Sequence, residues 1–165
     1  MQEITKLRNM TSLYLLCDDK ILLLYRQGSR VVNNQWVGAA GGHFEENELN
    51  DARSCVLREL HEELSMTENC IRDLELRYIT IRNTSGELRL NYYFFARLPG
   101  GTAMNLQSNE GILQWVALDE CAHLKMPFSA RFMMAHYLET GRYDHILYGG
   151  ISDGQKVIFT KLNEN

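Results

Sequence analysis

The sequence predicts an α+β domain in which about two main helices pack against a largely antiparallel or mixed β-sheet. Apolar runs of strand-like composition recur along the chain, while only residues 50–64 and 129–141 show helical periodicity. No internal repeat or linker interrupts the 165 residues, so a single domain is expected over 1–165.

The first two runs, SLYLLC (12–17) and KILLLYR (20–26), flank Asp18-Asp19 and read as a hairpin or two successive strands. QWVGAAGG (35–42) is apolar and then rich in small residues. A strand there runs into a loop that needs positive φ or close backbone approach. The helical pattern of 50–64 follows. LELRYITIRN (74–83) and ELRLNYYFFARL (87–98) predict two strands joined by a turn at Thr84-Ser85-Gly86, and ILQWVAL (112–118) predicts another. SARFMMAHYLETG (129–141) reads as an amphipathic helix, with Phe132, Ala135 and Leu138 on one face and Gly141 as its stop. HILYGGI and QKVIFTKL surround Ser152-Asp153-Gly154, which predicts a C-terminal β-hairpin over about 145–160.

Composition narrows the functional classes. Hydrophobic residues at 45% and charged residues at 23% give an ordinary globular balance. The net charge of −4 argues against a nucleic-acid polymer as partner, because such proteins neutralise phosphates with a basic face. A small anion bridged by a cation remains compatible. The cysteines, Cys17, Cys55, Cys70 and Cys121, form no C-x-x-C pair, so reduced thiols are expected. No apolar run has the length of a membrane span, and MQEITKLRNM lacks the apolar core of a secretory leader. A soluble cytoplasmic protein with no membrane partner is the expectation.

RELHEEL (58–64) stands out because like charges at helical neighbour positions repel. With about 100° per residue, Glu62 and Glu63 fall about 60° and about 40° to either side of Glu59, so the three carboxylates share one stripe. Leu57, Leu60 and Leu64 form a separate apolar stripe that can pack on a sheet. A solvated acidic face would explain the cluster. So would a site for hard divalent cations such as Mg²⁺ or Mn²⁺, which take oxygen ligands. Upstream, GGHFEENE (41–48) sets two glycines and several acids just before the helix.

The whole run, Gly42-x5-Glu48-x9-Arg58-Glu59-Leu60-x-Glu62-Glu63 with Met66 beyond it, resembles the signature of the Nudix hydrolases, G-x5-E-x7-R-E-U-x-E-E-x-G-U with U a bulky aliphatic. The interval from Glu48 to Arg58 is two residues longer than the family pattern. Either the loop bulges or the helix starts differently, and Glu45 and Glu46 become alternatives to Glu48 as support for the arginine. Ser65 stands where the family has glycine, a position that commonly ends the helix in a left-handed conformation. Beyond this box, the early strands, Trp36 ahead of the Gly-Gly loop, and Glu110-Gly111…Trp115-Val116-Ala117-Leu118 resemble a MutT-type domain.

The resemblance implies an α/β/α sandwich around a mixed sheet, and Mg²⁺- or Mn²⁺-dependent hydrolysis of a nucleoside diphosphate linked to another group. MutT-like members would take nucleoside triphosphates, including oxidised ones such as 8-oxo-dGTP, to monophosphate and pyrophosphate. By the same analogy Glu59, Glu62, Glu63 and the Gly42 carbonyl would hold metal, and Arg58 would orient the carboxylates. Glu110 or Glu59 would serve as general base. ADP-ribose or nucleotide-sugar cleavage, and a non-catalytic nucleotide sensor, are the alternatives. For the nucleotide itself, Trp36, Tyr92, Tyr93 and Phe94 could stack, although strand aromatics are commonly core. Asn33, Asn34 and Ser129 could bond a base edge. His43 adjoins the glycines, and His61 is expected to face solvent.

Overall fold

A computed structural model describes residues 3–28, 33–100 and 106–164. The apolar runs become the middle strands of one sheet because both of its faces are covered, which removes the need for polar alternation. In β1 (Lys6–Cys17), Leu13 and Leu15 point to one face while Tyr14 and Leu16 point to the other. In β5 (Glu87–Arg97), Phe94 and Ala96 alternate in the same way with Tyr93 and Phe95. Helix α1 (Ala52–Leu64) covers the first face with Val56, Leu60 and Leu64, and α2 (Phe128–Glu139) covers the second. The result is the expected α/β/α sandwich.

The main path of the sheet runs β3-β2-β1-β5-β4-β7-β8, with β6 also on β2. Here β2 is Lys20–Arg26, β3 Gln35–Gly38, β4 Arg72–Thr84, β6 Gly111–Ala117, β7 Tyr148–Ser152 and β8 Val157–Lys161. Strands β1 and β2 form the expected hairpin, and β4 and β5 join through Ser85 and Gly86, both at positive φ. Long-range pairing makes the sheet mixed: β1 runs parallel to β5 from Lys6↔Glu87 to Leu16↔Arg97, and β7 runs parallel to β4. The C-terminal hairpin thus extends the sheet. Buried Arg77 ties its approach down, donating to the Gly141 and Ile146 carbonyls and to Asp144.

One expectation is corrected. The face that α2 buries is Ala130, Met133, Met134 and Tyr137, whereas Ala135 is exposed and Phe132 and Leu138 are only partly buried. The helix is apolar most of the way round, and positions 130, 133, 134 and 137 offer the i, i+3, i+4, i+7 stripe that packs on the sheet. Phe132 instead stacks near Phe128, 5.1 Å between ring centres.

Helix α1 ends as the resemblance implied. Ser65 is left-handed at φ 53° and ψ 32°, and its N–H bonds the His61 carbonyl. Because a side chain in that conformation costs about 1–2 kcal/mol, Ser65→Gly is expected to stabilise the fold by about 0.5–1 kcal/mol net. A thermal melt should show a rise of about 1–4 °C.

Candidate active site

The additional residues between Glu48 and Arg58 are taken up before the helix begins. Glu46–Glu48 forms a short 3-10 turn, and Asp51 then caps α1 by accepting from the Ser54 N–H (3.0 Å) and hydroxyl (2.6 Å). The loop therefore bulges and the helix starts at Ala52, which turns Glu48 inward: it is buried, while Glu45 and Glu46 are exposed.

Arg58 uses all five of its N–H groups. Nε and Nη2 donate to the two oxygens of Glu48 at 2.7 and 3.1 Å. Nη2 also donates to the His43 carbonyl at 3.0 Å, and Nη1 donates to Glu59 (2.9 Å) and Glu62 (3.0 Å). Glu48, not Glu45 at 3.7 Å, is the carboxylate that grips the arginine. The guanidinium holds the Glu48 carboxyl down to about 2. Arg58 in turn joins oxygens of Glu59 and Glu62 at a single nitrogen.

The glycine turn closes the other side. Gly42 lies so near α1 that a Cβ would stand 2.2 Å from Glu59 Oε1, and at Gly41 it would meet the Thr11 carbonyl at 2.3 Å. Gly41 donates its N–H to Glu63 at 3.2 Å. The Gly42 carbonyl, expected as a metal ligand, accepts the Thr11 N–H at 2.8 Å and keeps a second lone pair, while the lack of a side chain at Gly42 leaves room for Glu59.

The acids outnumber their local cations. Burial, then repulsion from Glu59, pushes the Glu63 carboxyl up to about 7, although the Gly41 N–H and Arg26 pull the other way. Burial also raises Glu59 against the opposing pull of Arg58. Glu110 sits just before β6, whose pairing on β2 sets Gly111 opposite Arg26. Its carboxylate bonds Arg26 at 2.8 Å, and its charge reaches Glu63. As placed, no three Asp, Glu, His or Cys side chains among the described residues enclose an ion. The donor chemistry nevertheless fits a hard divalent cation: carboxylate oxygens on one rigid helix, two of them driven toward protonation by burial and then by mutual repulsion.

A cavity of about 320 Å³ extends from Glu63, Gly41 and Gly42 to the N-terminus of α2 at Phe128 and Ser129. Ser129 thus lies where expected, but Trp36, Asn33 and Asn34 do not line it. Adjacent strand residues face opposite ways, so Val37 faces the cavity while Trp36 packs on Tyr25, with ring centres 4.9 Å apart. Asn33 accepts the Gly28 N–H, and Asn34 takes positive φ just ahead of β3. Tyr93 reaches the cavity from β5, whereas Phe94 is in the α1-side core and Tyr92 stacks near Phe44. His61 is exposed, as expected. His43 meets Arg8 through Nε2 at 2.7 Å. Sequence reasoning missed the arginines of the wall, Arg8, Arg26, Arg82 and Arg89.

A carboxylate-bearing helix laid against a glycine turn, on an α/β/α sandwich, defines the class. The NUDIX domain model matches residues 7–137, and the chain belongs to the Nudix hydrolase family, enzymes of phosphoanhydride bonds. Among solved structures, the mutator MutT protein from Bacillus halodurans superposes with a TM-score of 0.68 at 23% identity, covering 96% of this chain and 99% of its own. The MutT protein from Methanosarcina mazei gives 0.67 at 16% identity, over 85% and 98%. The Ap4A hydrolase of C. elegans gives 0.62 at 14% identity, over 85% and 100%. The fold is thus MutT-like. A search of curated proteins finds no match. The family match stops within α2, so β7 and β8 lie outside it. No helix among the described residues is long and apolar enough to cross a membrane, and all four cysteines are unpaired.

Proposed function

We propose that this protein is a cytoplasmic, Mg²⁺-dependent nucleotide pyrophosphohydrolase, acting on nucleoside triphosphates, oxidised ones included, to release monophosphate and pyrophosphate. Mn²⁺ is the alternative ion. One observation carries the reading: Glu59, Glu62 and Glu63 gather on one stretch of helix with a single arginine between them, and Glu63 opens into the cavity.

Those three carboxylates would hold the divalent ion, which would supply positive charge for the phosphate oxygens and an acidified water. Arg58, engaged with Glu48 and the His43 carbonyl, keeps Glu59 and Glu62 on one side of the helix, which limits the side-chain rearrangement that gathering around an ion would need. Glu110 is the assigned general base. Both carboxylates bond an arginine, but Glu110 is exposed and within charge range of Glu63, whereas Glu59 is buried and wedged against Gly42. Arg26, bonded to Glu110, is placed to bind a phosphate oxygen as that pair opens.

The test is a substrate panel with and without Mg²⁺, followed by phosphate release with added pyrophosphatase and by chromatography of the nucleotide products. Triphosphates should be cleaved to monophosphate, with activity abolished by EDTA. ADP-ribose or sugar-nucleotide cleavage in their place would move the substrate assignment. No turnover of any member would defeat the enzyme reading and leave a nucleotide-binding sensor.

A further inference from the structure

Three arginines stand in one row across the sheet on the cavity side. Arg8 of β1 is the register partner of Arg89 of β5, and Arg89 is that of Arg82 of β4. All three line the cavity, together with Asn91 one rung further along β5. Like charges directly opposite one another on neighbouring strands are destabilising, and the local acids do not cancel them. Glu87 is shared by Arg8 (3.5 Å), Arg89 (2.5 Å) and Lys6 (3.1 Å). Arg82 lies over the Phe128 ring, 4.0 Å from its centre, and has no carboxylate partner among the described residues. Arg8 Nε is buried without a hydrogen bond.

A second feature points to the same place. Helix α2, twelve residues long, opens on this end of the cavity at Pro127, Phe128 and Ser129, and no side chain caps its first N–H groups. Guanidinium groups and a helix N-terminus favour the same ligand, a phosphoryl group. Glu63, at the other end of the cavity, belongs to the hydrolytic site.

We propose that the row Arg8–Arg89–Arg82, with the N-terminus of α2, binds a second phosphoryl group on the end of the nucleotide remote from the bond that is cleaved. This rests on the hydrolase reading and narrows its substrate class. Among nucleoside triphosphates, those that carry a further phosphate on the sugar are preferred, and a triphosphate with a neutral far end is the poorer substrate.

Binding can be measured without turnover. Calorimetry without divalent ions should show adenosine 3′,5′-bisphosphate or 2′,5′-bisphosphate binding at least about tenfold more tightly than AMP. Arg82→Ala and Arg89→Ala should collapse that ratio toward one, with folding checked by circular dichroism. Arg82→Lys should restore part of it. Equal affinity for the bisphosphates and AMP in the wild type, or a ratio that survives both alanine variants, would overturn the proposal. If inorganic phosphate saturates the row at a similar affinity and does not compete with the bisphosphates, the site serves a free anion and the substrate version fails. In the turnover arm, kcat/KM for ATP carrying a 3′-phosphate should exceed that for ATP by a similar factor. A bisphosphate preference in an inactive protein would sink the hydrolase reading alone, and activity without the preference would sink only this inference.

Discussion

Glu62→Gln is expected to reduce turnover by about a hundredfold or more while leaving the fold unchanged. The reason is the separation of roles within one helix turn. Glu59 is buried against Gly42 and Glu63 is partly buried against Gly41, so changing either disturbs packing as well as charge. The Glu62 side chain is 54% exposed, and its one partner among the described residues is Arg58 four residues earlier. An exposed pair at that spacing is worth only about 0.3–0.5 kcal/mol, and the amide keeps an oxygen for Arg58 to donate to. What disappears is one formal charge from the proposed ligand set. The check is kcat and melting temperature on the same preparation, with Mg²⁺ varied. The expected result is a large fall in kcat, a higher Mg²⁺ requirement and a melting temperature within about 2 °C of wild type. Full activity at the wild-type Mg²⁺ requirement would remove Glu62 from the ligands.

That such a variant can be chosen at all reflects how much of this helix is written locally. The charge stripe, the apolar stripe of Leu60 and Leu64, and the left-handed Ser65 follow from helical geometry over a few residues. The Ser85-Gly86 turn and the C-terminal hairpin are local in the same sense. Other features need partners distant in sequence. Strand β1 begins at Lys6, well before its apolar run, because its polar first half pairs with β5 and lines a cavity. No periodicity in KLRNMT marks that strand as one wall of a site. The arginine row exists only once β1 is set beside β5, since Arg8 is more than seventy residues from Arg82 and Arg89. Trp36 is a stacking candidate by its aromatic ring, but strand alternation turns it to the opposite side from Val37. For α2, an apolar circumference hid which stripe the sheet would select.

Glu48→Gln should show the complementary behaviour, a large loss of stability with a definite pH signature. Glu48 is buried and holds two edges of Arg58, and it also accepts the Glu45 N–H at 2.9 Å, which closes the turn leading into α1. Removing one partner of a buried ion pair costs about 3–5 kcal/mol; because Arg58 retains Glu59, Glu62 and the His43 carbonyl, about 2–3 kcal/mol is expected here. Thermal melts at pH 7 should place the variant about 5–10 °C below wild type. The carboxyl is held down to about 2 in the folded protein against an ordinary value of 4.5. Its contribution is therefore complete above about pH 4.5 and is lost as the pH falls toward 2, where the folded form also takes up the proton. The gap between wild type and variant should narrow over that interval and stay constant from pH 5 to 8. A gap equally wide at pH 2.5 and pH 7 would assign the loss to packing of the turn instead of to the ion pair. Activity should fall as well, because an arginine released from Glu48 no longer holds Glu59 and Glu62 to one side.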